Sequence, residues 1–336
     1  MVKRAATRVS YFRVRDKRRD KNKHNKTATR KDKNKLTRLA ILSDIHGNLP
    51  ALEAVIADMD QFSPDHIIVV GDLINTVPFD AEVVATIVQR GWTAIRGNHE
   101  FYLLDYGTRR ELPNMKNSPS PAWLNKNLKD WIPYLSAMPD QLTLYYRDAP
   151  PVFVTHGLPA NPFNAVSRIT PSERVVSWLK DVKETTYICG HYHLSVDRHI
   201  GQQHILNPGP VGAVMDGTHE ACYLLLDAGG DHWGTTFRHI PYDFSRVEVA
   251  FLEHNLDNIL GVEGFLKCEQ LRRARPTIVS FTDWLTASYP DEDWSYERAY
   301  EYCSLPLEAI WHTISESYHV NPDIPLPMTK MPVRSY

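Results

Sequence analysis

The chain has 336 residues, 43% of them hydrophobic, and a net charge near −2, which is room for one large domain with an extension or for two domains. No stretch approaches the roughly 18 apolar residues of a membrane span, so no membrane partner is expected. The four cysteines, Cys189, Cys222, Cys268 and Cys303, show no C-x-x-C spacing, which argues against a disulfide framework or a thiolate metal site and fits a reducing cytoplasm.

The near-neutral total hides an asymmetry. Residues 1–38 carry 16 of the 38 Lys and Arg but only 3 of the 40 acidic residues, leaving 22 basic against 37 acidic in the remainder. The basic arm, residues 1–36, has few apolar side chains to offset its ordering entropy and reads as disordered. A nucleic-acid tether is one reading of it, and a solvated tail is the favoured one.

The first ordered element expected is a short strand over Leu39–Leu42, apolar throughout, as in a strand buried on both faces. It runs into Ser43-Asp44-Ile45-His46-Gly47-Asn48, and a helix follows over 49–59 with Leu52, Val55, Ile56 and Met59 at helical spacing. A second buried strand, 66–70, ends in Gly71-Asp72. After a helix over 80–89, a third strand, 93–95, ends in Arg96-Gly97-Asn98-His99-Glu100. This alternation predicts right-handed βαβ units and a mainly parallel sheet. Residues 101–140 break the rhythm and read as an inserted helical flap. Strands resume at 142–146 and 152–155, the latter ending in His156-Gly157. A helix over 171–183, with Pro171 suited to its first turn, precedes strand 187–189 and Gly190-His191-Tyr192-His193. Short β-segments at 196–200, 204–206, 221–226 and 235–240 complete a domain spanning 37–242. Residues 243–320 read as a helical extension whose Trp284, Trp294, Tyr300 and Trp311 are packing residues, and 321–336 as a proline-rich tail.

Five strand ends therefore carry Asp44 and His46; Asp72; Asn98 and His99; His156; and His191 and His193. Ligands in open α/β sheets bind beyond the carboxyl ends of strands. A mixed oxygen and imidazole set without sulfur suits manganese, iron, cobalt or zinc better than calcium. So large a set is too many for one ion and about right for two with a shared carboxylate, an arrangement suited to phosphoester hydrolysis. His66, His199, His204, His219, His239 and His319 stand alone in the sequence and read as satisfied or surface residues.

In this order the motifs resemble those of the calcineurin-like metallophosphoesterases, and Asn207-Pro208-Gly209-Pro210-Val211-Gly212 resembles the turn that follows them in the small bacterial branch. The resemblance implies an α/β (α+β) fold, a four-layer α-β-β-α sandwich with two sheets face to face, in place of one wound sheet. It further implies that Asp44, His46 and His193 hold a first metal, that Asn98, His156 and His191 hold a second, and that Asp72 bridges them. Asp72 and His99 are then the catalytic candidates, with His99 protonating the leaving oxygen. Arg96 and Asn48 are the candidate substrate-binding residues, the guanidinium being able to clamp phosphate oxygens. Two divalent metals are expected, manganese favoured, acting on a phosphomonoester or phosphodiester substrate. The chain departs from the serine/threonine phosphoprotein phosphatases at Asn75, where they carry a second Asp, and from the bacterial turn at Pro210, where it carries Ser. A non-catalytic scaffold on the same fold is the alternative, but a scaffold is expected to have lost ligands and none is missing here.

Overall fold

A computed structural model describes residues 36–316. The basic arm up to Lys35, the last residues of the helical extension and the proline-rich tail lie outside the described residues.

Ten strands form two five-stranded mixed sheets among the described residues. They are β1 (Arg38–Leu42), β2 (His66–Val69), β3 (Thr93–Ala94), β4 (Gln141–Leu144), β5 (Val152–Thr155), β6 (Thr186–Ile188), β7 (Val196–Ile200), β8 (Gln203–Asn207), β9 (Glu220–Ala228) and β10 (Trp233–Pro241). The first sheet runs β10-β9-β1-β2-β3 and the second β4-β5-β6-β8-β7. Strands β1, β2 and β3 are parallel, as are β5, β6 and β8; β9, β10, β4 and β7 pair antiparallel. The two sheets implied by the family resemblance are present, and the single mainly parallel sheet read from alternation alone is not. Strand–helix alternation reports crossovers within a sheet and carries no mark of where the chain passes to another.

Period-two alternation explains the layers. In β1, Leu39 and Ile41 join a core lying between the sheets, with Ile68, Val154, Ile188, Leu206 and Leu224. Ala40 and Leu42 face the opposite way, into the core beneath the helices α1 (Leu49–Phe62) and α2 (Asp80–Arg90). Helix α1 buries the expected Leu52, Val55 and Met59 and is capped by Asn48. The segment read as a flap takes in the second half of α3 (Asn98–Asp105), which begins in the preceding motif, with α4 (Ser120–Asn127) and α5 (Ile132–Ala137). Its Leu103, Leu124, Leu128 and Leu135 belong to the same core as α1, so it is fixed to the domain by burial, each such side chain being worth about 1.5–3 kcal/mol. On the other side, α6 (Ser172–Trp178) covers the second sheet through Val175. It is shorter than the sequence pattern suggests, and Pro171, with ψ 137°, caps the helix from outside its first turn.

The C-terminal region is helical: α7 (Ser245–Glu253), α8 (Leu256–Ile259), α9 (Val262–Arg273), α10 (Thr277–Ser288), α11 (Tyr296–Ser304) and α12 (Leu307–Ile310). Phe265, Phe281, Trp284 and Tyr302 form its own core. Val247, Phe251 and Leu260 pack with Val77, from the loop after β2, and with Trp123 of α4. The extension is therefore seated on the edge of the strand-end region.

Candidate metal centre

The carboxyl ends of β1, β2, β3, β5 and β6 converge on one buried cluster. The loops are zipped together by their backbones: His46 N–H donates to Asp72 O at 3.0 Å, Gly190 N–H to His156 O at 2.7 Å, and Gly212 N–H to Asp44 O at 3.0 Å. The His191 N–H crosses between sheets to the Asp44 carboxylate, 3.1–3.2 Å from its oxygens. Glycine is required where the loops touch. A Cβ on Gly97 would strike the Asp72 carboxylate and one on Gly190 would strike Ser43. Five cluster residues, Asp44, His46, Asp72, His191 and His193, have left-handed backbone, with φ 53°, 49°, 52°, 66° and 58°.

Two groups of ligand atoms result. One contains Asp44, His46, Asp72 and His193, the other Asp72, His156 and His191, and Asp72 belongs to both. Asp44 Oδ1 lies 3.2 Å from His193 Nε2, and Asp72 Oδ2 lies 3.5 Å from His46 Nε2 and 3.2 Å from His156 Nε2. Asn98 Oδ1 sits 3.0 Å from His156 Nε2, completing the second group. The imidazoles are aimed from behind. His156 Nδ1 donates to Val70 O and His193 Nδ1 to Ala213 O, both at 2.6 Å. That fixes the ring orientation and directs each Nε2 into the cluster, as metal-binding histidines are commonly held.

The set fits divalent cations. Asp72 Oδ2 is buried and accepts no hydrogen bond, and His46 and His191 each retain a buried Nδ1 without a partner. His46 Nε2 and His193 Nε2 face each other at 3.0 Å, a spacing that two ligands of one ion share. Burial pushes the Asp44 and Asp72 carboxyls up, but the surrounding histidines outweigh it and hold both well below the usual range. Burial likewise disfavours charge on His156, yet Asp72 and Asp44 push it up to about 10, while desolvation and the neighbouring His156 bring half-buried His191 down to about 4. Proton and metal compete for these nitrogens.

Of the residues singled out in the sequence, Asp44, His46, Asp72, Asn98, His99, His156, His191 and His193 are brought together here. The His99 side chain is 21% exposed, against 2%, 0% and 8% for those of His46, His156 and His193, and so stands at the open side. The backbone N–H of His99 donates to Asp72 Oδ1 at 2.9 Å. Burial, reinforced by neighbouring positive groups, lowers its pKa. Arg96 and Asn48, the candidate substrate-binding residues, are both engaged by partners within the protein. The Arg96 guanidinium pairs with Asp140 at 2.6–2.8 Å and donates to Ser136 O. Asn48 accepts from Ala51 N–H and donates to Gly212 O and Tyr242 Oη, so its amide is engaged in capping α1 and anchoring the turn.

Two residues were missed. Glu100, fully buried, accepts from the N–H groups of Asp72, Leu73 and Gly97 at 3.1, 2.8 and 2.6 Å, tying two ligand loops together. Its signal was its place at the third position of a helix beginning after Gly97, the spacing at which Glu reaches back to the cap. Burial and the charge of Asp72 push its carboxyl up to about 7. Lys267 of α9 reaches in from the extension, Nζ lying 2.7 Å from Ser120 Oγ, 3.2 Å from Glu263 and 3.3 Å from Asn75 O. The i,i+4 spacing of Glu263 and Lys267 on α9 marks an ion pair, but nothing in the sequence marks its burial against Ser120 and Asn75.

Two face-to-face sheets with a shared-carboxylate cluster at their strand ends define a metal-binding α/β sandwich of the phosphoesterase class. The chain belongs to the calcineurin-like phosphoesterase superfamily, whose domain model matches residues 37–231. An uncharacterized protein of Methanocaldococcus jannaschii is 22% identical over 244 residues, 68% of this chain and 97% of that one. Among solved structures, a metallophosphoesterase from Sphaerobacter thermophilus aligns with TM-score 0.54 and 21% identity, covering 67% of this chain and 97% of its own. A hypothetical protein from Pyrococcus horikoshii aligns with TM-score 0.57 and 17% identity, covering 68% and 97%. These likenesses extend to the fold.

Proposed function

We propose that the protein hydrolyses phosphomonoesters or phosphodiesters with two divalent cations. Asp44, His46 and His193 would hold one, Asn98, His156 and His191 the other, and Asp72 both. The observation that carries this reading is the membership of Asp72 in both groups of ligand atoms. The chemistry such a pair supplies is Lewis-acid polarisation of phosphate and activation of water at neutral pH. Oxygen and nitrogen donors without sulfur favour manganese, with iron, cobalt or zinc as the other choices.

The chain's own groups supply the rest. His99, on the open side with its ring edge-on to His46 at 4.7 Å, is placed to carry a proton to a departing ester oxygen. Asp72 orients it by accepting its backbone N–H. Glu100 holds the Asp72 and Asn98 loops at fixed separation, the preorganisation that positional catalysis requires. The test is turnover of model mono- and diesters by protein stripped with chelator and then resupplied with manganese. Activity should vanish and return. Undiminished activity in the stripped protein overturns the two-metal reading, and a metal-loaded protein inert toward every ester points to a binding role instead.

A further inference from the structure

His199 and His204 stand apart in the sequence, but the fold puts them directly opposite each other on the antiparallel pair β7–β8. Their rings stack with centroids 3.9 Å apart and planes 19° from parallel. Asp197, two residues before His199, lies on the same face of β7 by the period of a strand. His204 Nε2 is 2.7 Å from Asp197 Oδ1. One ligand atom from each of the three lies within 4.8 Å of the others.

The face they occupy is informative. Val196 and Ile200 are buried on the opposite side of β7, and Leu206, which shares the face of His204 on β8, belongs to the core between the sheets. Asp197, His199 and His204 therefore point inward, at the margin where the sandwich opens to solvent. Strand β7 is the edge of one sheet and β10 the edge of the other. Thr235 of β10 donates to the remaining Asp197 oxygen at 3.2 Å, so the carboxylate is oriented from across the gap.

We propose that Asp197, His199 and His204 form a second metal site, for a zinc-class transition ion, separate from the strand-end cluster. Two imidazoles and one carboxylate suit zinc, nickel or copper(II), whereas calcium and magnesium prefer all-oxygen cages. Three protein ligands leave a position open to water on the exposed side. An ion there pins β7 to β8 and, through Asp197 and Thr235, holds the free margins of the two sheets together. It is a structural staple that leaves the ester chemistry untouched. Inward-pointing polar groups also protect edge strands from pairing with other chains, and that competing explanation requires no metal.

The experiment titrates zinc into full-length protein already loaded with manganese, following heat by calorimetry and the melting temperature. Wild type should take up one further equivalent and melt roughly 2–4 °C higher at tenfold excess over the dissociation constant. His199→Gln and His204→Gln should each lose that equivalent and the shift, with manganese-supported turnover unchanged. Should His204→Gln itself be destabilised, His199→Gln, at an exposed position, carries the comparison. Absence of a further equivalent in wild type overturns the proposal. So does an equivalent that both histidine variants retain but Asp72→Asn loses, because that zinc is exchanging into the strand-end cluster. Neither outcome depends on whether the cluster hydrolyses esters.

Discussion

Glu100 offers the sharpest test of how the centre is held. Its two oxygens accept three backbone N–H groups from two different loops, with no exposure to solvent. Glu100→Ala strands all three donors, at about 1–3 kcal/mol for each buried group left unpaired, or about 3–9 kcal/mol in all. That is comparable to the whole stability of an ordinary domain, about 5–15 kcal/mol, so the alanine variant should be largely unfolded. Glu100→Gln is the informative change. Its carbonyl oxygen can take the place of Oε2 and keep the Asp72 and Gly97 N–H groups, while its amide nitrogen confronts the Leu73 N–H. One unpaired donor predicts a loss of about 1–3 kcal/mol. Because the displaced loop carries Asp72, metal affinity should fall about 10–100-fold, the usual effect of removing a partner behind a ligand. Urea unfolding and metal titration measure the two quantities separately. If Glu100→Gln matches wild type within about 0.5 kcal/mol and binds metal normally, the tie between the loops is not made by this side chain and the reasoning would fail.

Three further outcomes follow from the same geometry. Asp72→Asn should lose most bound metal and activity together, whereas His99→Ala should keep its metal and lose about 10²–10⁴-fold in turnover, as read by metal analysis beside steady-state kinetics; loss of metal from His99→Ala would show that it is a ligand. Lys267→Met leaves Glu263 beside Ser118 and Ser120 without its cation and should cost about 3–5 kcal/mol in denaturant titration, with a smaller loss when Glu263→Gln is added. Asp80, fully buried, is pushed up by burial from 3.8 to about 7 despite accepting the N–H groups of Asn75 and Val77. The folded protein keeps this proton to about pH 7 and the unfolded chain only to about 3.8. Stability contributed at Asp80 is therefore present at low pH and declines through that window as pH rises, by about 1.4 kcal/mol per unit and about 4 kcal/mol in total. Asp80→Asn should flatten the pH dependence of unfolding by that slope, and an unchanged slope would assign the proton elsewhere.

The strand ends were legible because their physics is local. Leu39–Leu42 had to be buried on both faces, and Gly47, Gly71 and Gly97 marked where the chain turned at the rim. The ligand types at those turns then stood out. What could not be read was partnership between distant segments. Asn48 beside a ligand looked available to substrate, yet it caps α1 and reaches Gly212 and Tyr242. Arg96 likewise meets Asp140, 44 residues on. His199 and His204 looked solitary because a hairpin register, absent from any motif, brings them face to face. The burial of Lys267 was invisible for a related reason, since only its Glu263 partner is local and Ser120 and Asn75 come from distant segments.

The left-handed backbone at Asp44, His46, Asp72, His191 and His193 narrows the paths by which this centre can change. Each position imposes two tests at once, a donor atom for the ion and a side chain that tolerates positive φ. Asp, Asn and His pass the second better than other side chains, and Gly passes it freely. Glu preserves charge but meets the ordinary left-handed penalty of about 1–2 kcal/mol, so Asp44→Glu damages the loop as well as the chelate. Asn spares the backbone and keeps an oxygen for the N–H groups that Asp44 and Asp72 accept, whereas Gly spares the backbone alone. A descendant that abandons metal while keeping the fold should therefore drift toward Asn and Gly at these five places, leaving a vestige of the lost centre written in the backbone requirement alone.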